Sequence, residues 1–306
     1  MYISPALPPG ITVLERGWLS ANNILLLGEQ CALVDTGYAT HAPQTLALVD
    51  AALDGRPLDT VVNTHLHSDH CGGNAALQQR YPHAQTLIPP GQAALVQQWD
   101  PIGLSYTPTG QHCPAFRFDA LLEAGREITL GAMAWQVHAA PGHDPHSVVL
   151  FQAEHRLLIS ADALWERGFG VVFPELEGVD AFAEVAATLD LIERLDPLTV
   201  IPGHGRVFTT LATSLAYARQ RLEGFLREPR RHALHAAKVL LKFKLLELQR
   251  LPRSELLRWA CQTTHLEATR LRHFPELSAL AWAERVADDL VSAGAAAVDD
   301  GYLVNT

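Results

Sequence analysis

Thr64-His65-Leu66-His67-Ser68-Asp69-His70-Cys71-Gly72-Gly73 gathers three imidazoles and a carboxylate within six residues. The run follows an apolar stretch, Thr60-Val61-Val62-Asn63, that reads as a buried strand. A fold that buries such a segment must find every one of these side chains a partner, because unpaired polar groups are costly away from water. Ordinary packing rarely meets that demand four times in six residues; a bound cation does. On an extended backbone residues i and i+2 share a side, so His65, His67 and Asp69 are expected to converge. His70 falls where the chain turns, Gly72-Gly73 permit tight backbone, and a helix is expected over Asn74–Arg80. Imidazole nitrogen with carboxylate oxygen suits zinc, iron or manganese better than calcium or magnesium.

Six residues cannot close two coordination spheres, so further ligands are expected at other strand exits. His143 follows Ala139-Ala140-Pro141-Gly142, Asp162 follows Leu157-Leu158-Ile159-Ser160-Ala161, and His204 follows Val200-Ile201-Pro202-Gly203. Gly and Pro beside these positions suit sharply turning loops that aim a short side chain inward.

The 306 residues suffice for one large domain, or one domain with an appendage. Short strand-like and helical runs alternate from Ile11 to Ile201, with a Pro- and Gly-punctuated loop expected from Asp100 to Asp119. Near Arg219 the composition changes. Helices are expected over Leu234–Gln249, over Arg253–Gln262 and from Glu267 or later to Ala293, then a hairpin turning at Asp299-Asp300-Gly301. This gives a unit over residues 1–218 and a helical, winged-helix-like unit over 219–306. Charge follows the same division. Residues 216–306 hold 14 Lys and Arg against 11 Asp and Glu, so the formal −10 of the whole chain comes from the earlier part, at −13. That acidic body argues against broad nucleic-acid affinity, and bound divalent metals would offset part of it.

No apolar run approaches the roughly 20 residues that cross a bilayer. Met1 to Gly17 lacks the basic and apolar regions of a secretory signal, and the four cysteines are scattered without short pairing. A cytoplasmic location is expected, with no membrane partner and a homodimer as the default assembly.

The chain resembles the metallo-β-lactamase superfamily, in the hydrolase branch that includes glyoxalase II and the lactonases. The motifs that carry this are Val34-Asp35-Thr36-Gly37, His65-Leu66-His67-Ser68-Asp69-His70, Pro141-Gly142-His143, Ser160-Ala161-Asp162 and Pro202-Gly203-His204-Gly205, in family order. The resemblance implies an α/β fold, an αββα sandwich of two mixed sheets with helices outside. It implies His65, His67 and His143 on a first metal, Asp69, His70 and His204 on a second, and Asp162 bridging. Two divalent transition-metal ions follow, zinc first, with iron and manganese compatible. Metal binding lowers the pKa of water from 15.7 to about 7, and the implied hydroxide attacks a carbonyl carbon while Asp69 accepts or relays a proton. Asp35 is expected behind the ligands, holding a histidine or a loop; a plain turn role is the competing reading.

The expected substrate is a small carbonyl ester: a thioester, a lactone or a related acyl compound. Trp165, Phe169 and Phe173 are candidates for the pocket wall, and Trp18, Trp99 and Tyr106 could extend it, although all fit ordinary core positions too. Cys71 reads as a small apolar packing residue; His146, three after His143, reads as a solvated histidine, with a hydrogen bond near the site as the competing reading. The glutathione-binding basic patch of glyoxalase II does not map onto this chain. A nuclease acting on phosphodiesters is the rival reading, with Arg219, Arg221, Arg227, Arg230 and Arg231 as its footprint; Glu223 and Glu228 interleave them as on a solvated helix. A mono-iron persulfide dioxygenase and a non-catalytic metal-holding sensor are the remaining alternatives. Export-dependent antibiotic hydrolysis does not suit a chain that opens without a signal.

Overall fold

The computed structural model describes residues 5–306. Its first sheet runs in the order β1 (Ile11–Leu14), β2 (Asn23–Leu26), β3 (Ala32–Val34), β4 (Thr60–Val62), β5 (Gln85–Ile88) and β6 (Ala120–Leu121). Its second places β7 (Glu127–Leu130), β8 (Met133–Ala139), β9 (Val148–Gln152), β10 (Leu157–Ala161) and β11 (Thr199–Pro202) side by side in the same progression. Both sheets are mixed: β1–β3 and β7–β10 pair antiparallel, while β3–β6 and the β10–β11 pair run parallel.

Period-two patterning explains how the layers stack. Ile24, Leu26, Val34 and Val62 of the first sheet share one buried cluster with Val148, Leu150, Leu157, Ile159 and Ile201 of the second. Their neighbours Leu25, Leu33 and Val61 face the other way, onto α1 (Ala42–Leu53) and the helix after the histidine motif. Val149, Phe151, Leu158 and Val200 likewise turn away from the shared cluster to pack on later helices. Each central strand is apolar on both faces because each face is covered. The expected αββα sandwich is what forms.

Short helices α2 (Ser68–Cys71), α3 (Asn74–Arg80), α4 (Ala93–Gln98) and α5 (Tyr106–Thr109) decorate the first sheet, and α6 (Phe173–Glu177), α7 (Phe182–Leu195) and α8 (Leu211–Arg227) follow the second. The expected loop from Asp100 to Asp119 thus contains one helical turn. The remaining elements are α9 (Pro229–Leu248), β12 (Arg250–Pro252), α10 (Arg253–Gln262), α11 (Thr264–His273), α12 (Ala279–Ser292), β13 (Ala296–Asp299) and β14 (Tyr302–Asn305). The last two form the expected hairpin, and β12 adds to it in the order β12-β14-β13.

Two boundaries differ from the sequence reading. The single helix expected from Glu267 to Ala293 is two, because Pro275 lacks a donor and Ser278 caps the second by accepting from Ala281 N at 3.2 Å. The unit break expected at 218/219 falls inside α8, whose Leu215, Ala218, Leu222 and Phe225 pack with α7 and the second sheet. Arg219 opened the basic run, yet it reaches back to Asp190 and Glu193 of α7. Packing therefore favours a break at Glu228, between α8 and α9. The C-terminal helices share a core with Val171 and Leu176 of the segment after β10, so they sit against the sandwich rather than apart from it.

Candidate metal centre

The loops after β4, β8, β10 and β11 meet at one end of the sandwich. His65, His67 and His143 form one group, and Asp69, His70, Asp162 and His204 a second, with ligand-capable atoms inside each group within 4.8 Å of one another. The route differs from the extended geometry expected for His65, His67 and Asp69. The chain leaves extended conformation at His67 (φ −67°, ψ 149°) and enters α2, so Asp69 rides a helical turn with His70 and joins the second group. Period two holds for His65 and His67 only.

Hydrogen bonds from the far side of each ring decide which nitrogen faces inward. His70 Nδ1 donates to Asp35 Oδ2 at 2.7 Å, and His143 Nδ1 to the Val171 carbonyl at 2.6 Å. His204 Nδ1 faces the Gly17 carbonyl at 3.4 Å. Thr64 Oγ1 donates to Asp35 Oδ2 and so accepts from His65 Nδ1 at 3.2 Å. His65, His70 and His143 thereby turn Nε2 into the site, while His204 Nε2 faces Asp69 Oδ2 at 3.0 Å. Asp35 is the hinge of this arrangement: buried, left-handed at φ 57°, and holding Thr64 N at 2.9 Å with its other oxygen.

Inward-facing nitrogens crowd one another. His67 Nδ1 lies 3.0 Å from His65 Nε2 and 2.8 Å from His143 Nε2. Burial, reinforced by the neighbouring imidazoles, pushes His65 well below the usual histidine range and His67 down to about 4. Three ring nitrogens turned toward one another at these distances suit a cation between them. In the second group burial would also lower the histidines, but Asp35, Asp162 and Asp69 hold His70 well above its ordinary value, and Asp162 and Asp69 raise His204. The carboxylates gain in return: burial opposes it, yet the histidines keep Asp69 and Asp162 ionised. His70 Nε2 is buried without a hydrogen-bond partner. An orphaned imidazole nitrogen amid two ionised carboxylates and a second imidazole fits a divalent cation.

Asp162 stands between the groups. One oxygen lies 3.4 Å from His143 Nε2; the other lies 3.5 Å from His70 Nε2 and 3.8 Å from His204 Nε2. Trp165 Nε1 donates to Asp162 Oδ1 at 3.1 Å. Gly203 is required by this crowding, since a Cβ there would run into Asp162 Oδ1.

A cavity of about 790 Å³ opens over the centre. Trp18, Trp165, Phe173, Tyr106 and His146 line it, and Trp18 stacks on the His204 ring at 5.5 Å. Phe169, expected in this wall, points instead into the core and packs on Phe225 at 6.3 Å, being 1% exposed. Trp99 packs on Phe116 in a neighbouring cluster. Cys71 is buried in that cluster too, its thiol pushed far up by burial. The sequence reading missed Asp144, 3.8 Å from His67 Nε2, although its place beside His143 was a signal. It also missed His235, Phe243 and His265, which α9 and α11 bring to the cavity from thirty or more residues beyond the last motif; no local pattern marks them.

The metallo-beta-lactamase superfamily model matches residues 16–204, from the segment before β2 to the last candidate ligand. The chain belongs to the metallo-beta-lactamase superfamily. Among relatives, a hydroxyacylglutathione hydrolase of Anaeromyxobacter dehalogenans is 34% identical over 215 residues, covering 70% of this chain and 72% of the relative. The acyl-coenzyme A thioesterase MBLAC2 of Gallus gallus is 28% identical over 162 residues, covering 50% and 58%. Among solved structures, TTHA1623 in a di-iron-bound form aligns at a TM-score of 0.55 and 27% identity, over 68% of this chain and 98% of that one. The chain is a metal-dependent hydrolase of this superfamily. No helix among the described residues is long and apolar enough to cross a membrane.

Proposed function

We propose that the enzyme hydrolyses a thioester of a small acyl group, with lactones and related esters as the neighbouring chemistry. The supporting observation is the Asp162 carboxylate, shared between two ligand groups at the base of a cavity walled by Val171, Phe173, Leu240 and Phe243. His65, His67 and His143 would hold one divalent ion and Asp69, His70 and His204 the other, with Asp162 between. The donor set suits zinc first and accepts iron or manganese. Such ions, when bound, supply a Lewis acid and water ionised near neutral pH.

The chain's own groups do the rest. Asp35, Val171 and Thr64 fix the tautomers that keep Nε2 free on His70, His143 and His65. Asp69 is 15% exposed, and His204 engages its Oδ2 at 3.0 Å, so Oδ1 is available to take a proton from the attacking water and deliver it to the leaving thiolate. The apolar wall from α9 excludes bulk water and aligns the acyl chain.

The relatives named hydroxyacylglutathione hydrolase and acyl-coenzyme A thioesterase support this substrate class. The arginine run of the nuclease reading is largely neutralised: Arg219 pairs with Asp190 and Glu193, Arg227 with Glu223, and Arg230 with Glu276. The test is a hydrolysis panel of thioesters, lactones, phosphodiesters and a cephalosporin, with metal content measured on the same sample. Thioester turnover at two metals per chain is expected. Turnover of phosphodiesters alone, or one iron with oxygen consumed on a persulfide, overturns the proposal.

A further inference from the structure

Arg221 of α8 lines the same cavity as His143 and Asp162. Its guanidinium lies 5.7 Å from the ring centre of Phe169 and 5.4 Å from that of Phe225. Its Nη2 donates to His235 Nε2 at 2.6 Å. Burial, with the Arg221 charge beside it, holds His235 down to about 3, so that ring accepts as a neutral base. Glu177 and Glu184 also line the cavity, yet no carboxylate among the described residues comes within 4.0 Å of the guanidinium. Arg219, two residues back on the same helix, has two. Burial lowers Arg221 without stripping its charge. A fixed, half-buried cation packed beside two rings that meet edge-to-face, with no carboxylate on it, is a planar fork awaiting an anion.

Its distance from the centre is bounded by covalent geometry. A Cβ on Gly168 would sit 2.8 Å from Arg221 Nη1, and a Cβ on Gly170 would run into the His143 ring. Two residues of chain span at most about 8 Å, so guanidinium and His143 lie within roughly 15 Å. That is the reach of one small substrate. Arg167, exposed and also lining the cavity, adds a second cation beside Gly168.

We infer that Arg221, pinned by His235 and packed against Phe169 and Phe225, binds an anionic group carried by the substrate away from its scissile bond. Carboxylate and phosphate share this chemistry. The inference rests on the thioester reading and deepens it: the anion is placed on the thiol carrier.

The test uses the full-length, metal-loaded protein and three free thiols followed by ligand-observed NMR. Glutathione brings carboxylates, coenzyme A brings phosphates, and N-acetylcysteamine brings no charge. Wild type binds one of the anionic thiols, and Arg221→Met weakens that binding about 10- to 100-fold while N-acetylcysteamine is unaffected. A response to glutathione identifies a carboxylate, and a response to coenzyme A a phosphate. Wild-type protein gives a second readout that needs no variant: the anionic thiol slows phenylglyoxal modification of Arg221, read by peptide mass spectrometry, and N-acetylcysteamine does not. Equal affinities in wild type and variant, no binding of either anionic thiol by wild type, or modification unaffected by them overturns the inference. Arg221-dependent binding without turnover of any thioester removes the proposed reaction and leaves the anion site standing.

Discussion

His70 shows how a single residue is assembled from distant sequence. Its ring is aimed by Asp35 at the end of β3, and its free nitrogen faces Asp162 from the end of β10. Replacing Asp35 by Asn keeps the shape but exchanges an obligate acceptor for an amide that can present either group. The second ligand group is then expected to lose about 10- to 100-fold in metal affinity, measured by chelator competition; unchanged affinity would assign Asp35 to loop structure alone. His67→Ala and Asp162→Ala remove candidate ligands outright, and each is expected to cost several kcal/mol, about 1000-fold in turnover, with the fold retained by circular dichroism. Near wild-type turnover in both would remove the catalytic assignment. The seven residues were legible because their side chains have few other reasons to cluster at strand exits. What stayed hidden was orientation: nothing local in Ser68-Asp69-His70-Cys71 announces a helical turn, which forms when Cys71 N and Gly72 N bond back to His67 and Ser68.

Among the elements, strands and their layers were readable and the cavity wall only in part: Trp165, Phe173, Trp18 and Tyr106 line it, and Phe169 and Trp99 do not. Alternation in β2, β4, β9 and β10 dictates two faces, and two covered faces dictate a sandwich. Phe169 reads as apolar whichever way it points, so its place in the core was decided by α8 rather than by its neighbours. The C-terminal helices bring buried histidines that sequence left as ordinary loop or helix residues. Burial holds His232 and His265 down to about 4. Their folded values lie below the unfolded value near 6.5, so they favour the fold above about pH 6.5 and that contribution is lost as pH falls toward 4. Each is worth about 1–3 kcal/mol over that window. Urea unfolding at pH 7 and pH 5 is expected to show a shallower loss for His265→Gln than for wild type; parallel losses would contradict the buried neutral state. Leu240, 3% exposed, serves both the helical core and the cavity. Leu240→Ala is expected to cost about 2–5 kcal/mol in the same assay, and a cost under 1 kcal/mol would show that α9 is not packed there.

At the scale of the whole molecule, an acidic sandwich supplies the chemistry and a mildly basic helical unit completes the vessel around it. The charge division was visible in composition, but composition could not say that the two units share a cavity. Ending the chain at Glu228 would strip Val171 and Leu176 of their cover and open the wall formed by Leu240 and Phe243. The central claim is that two ligand groups, joined at Asp162, hold two cations. Anomalous diffraction at the absorption edge of the bound metal tests it most directly. The account predicts two peaks, one among His65, His67 and His143 and one among Asp69, His70 and His204, with Asp162 touching both. A single peak, or metal bound anywhere away from these loops, would contradict it.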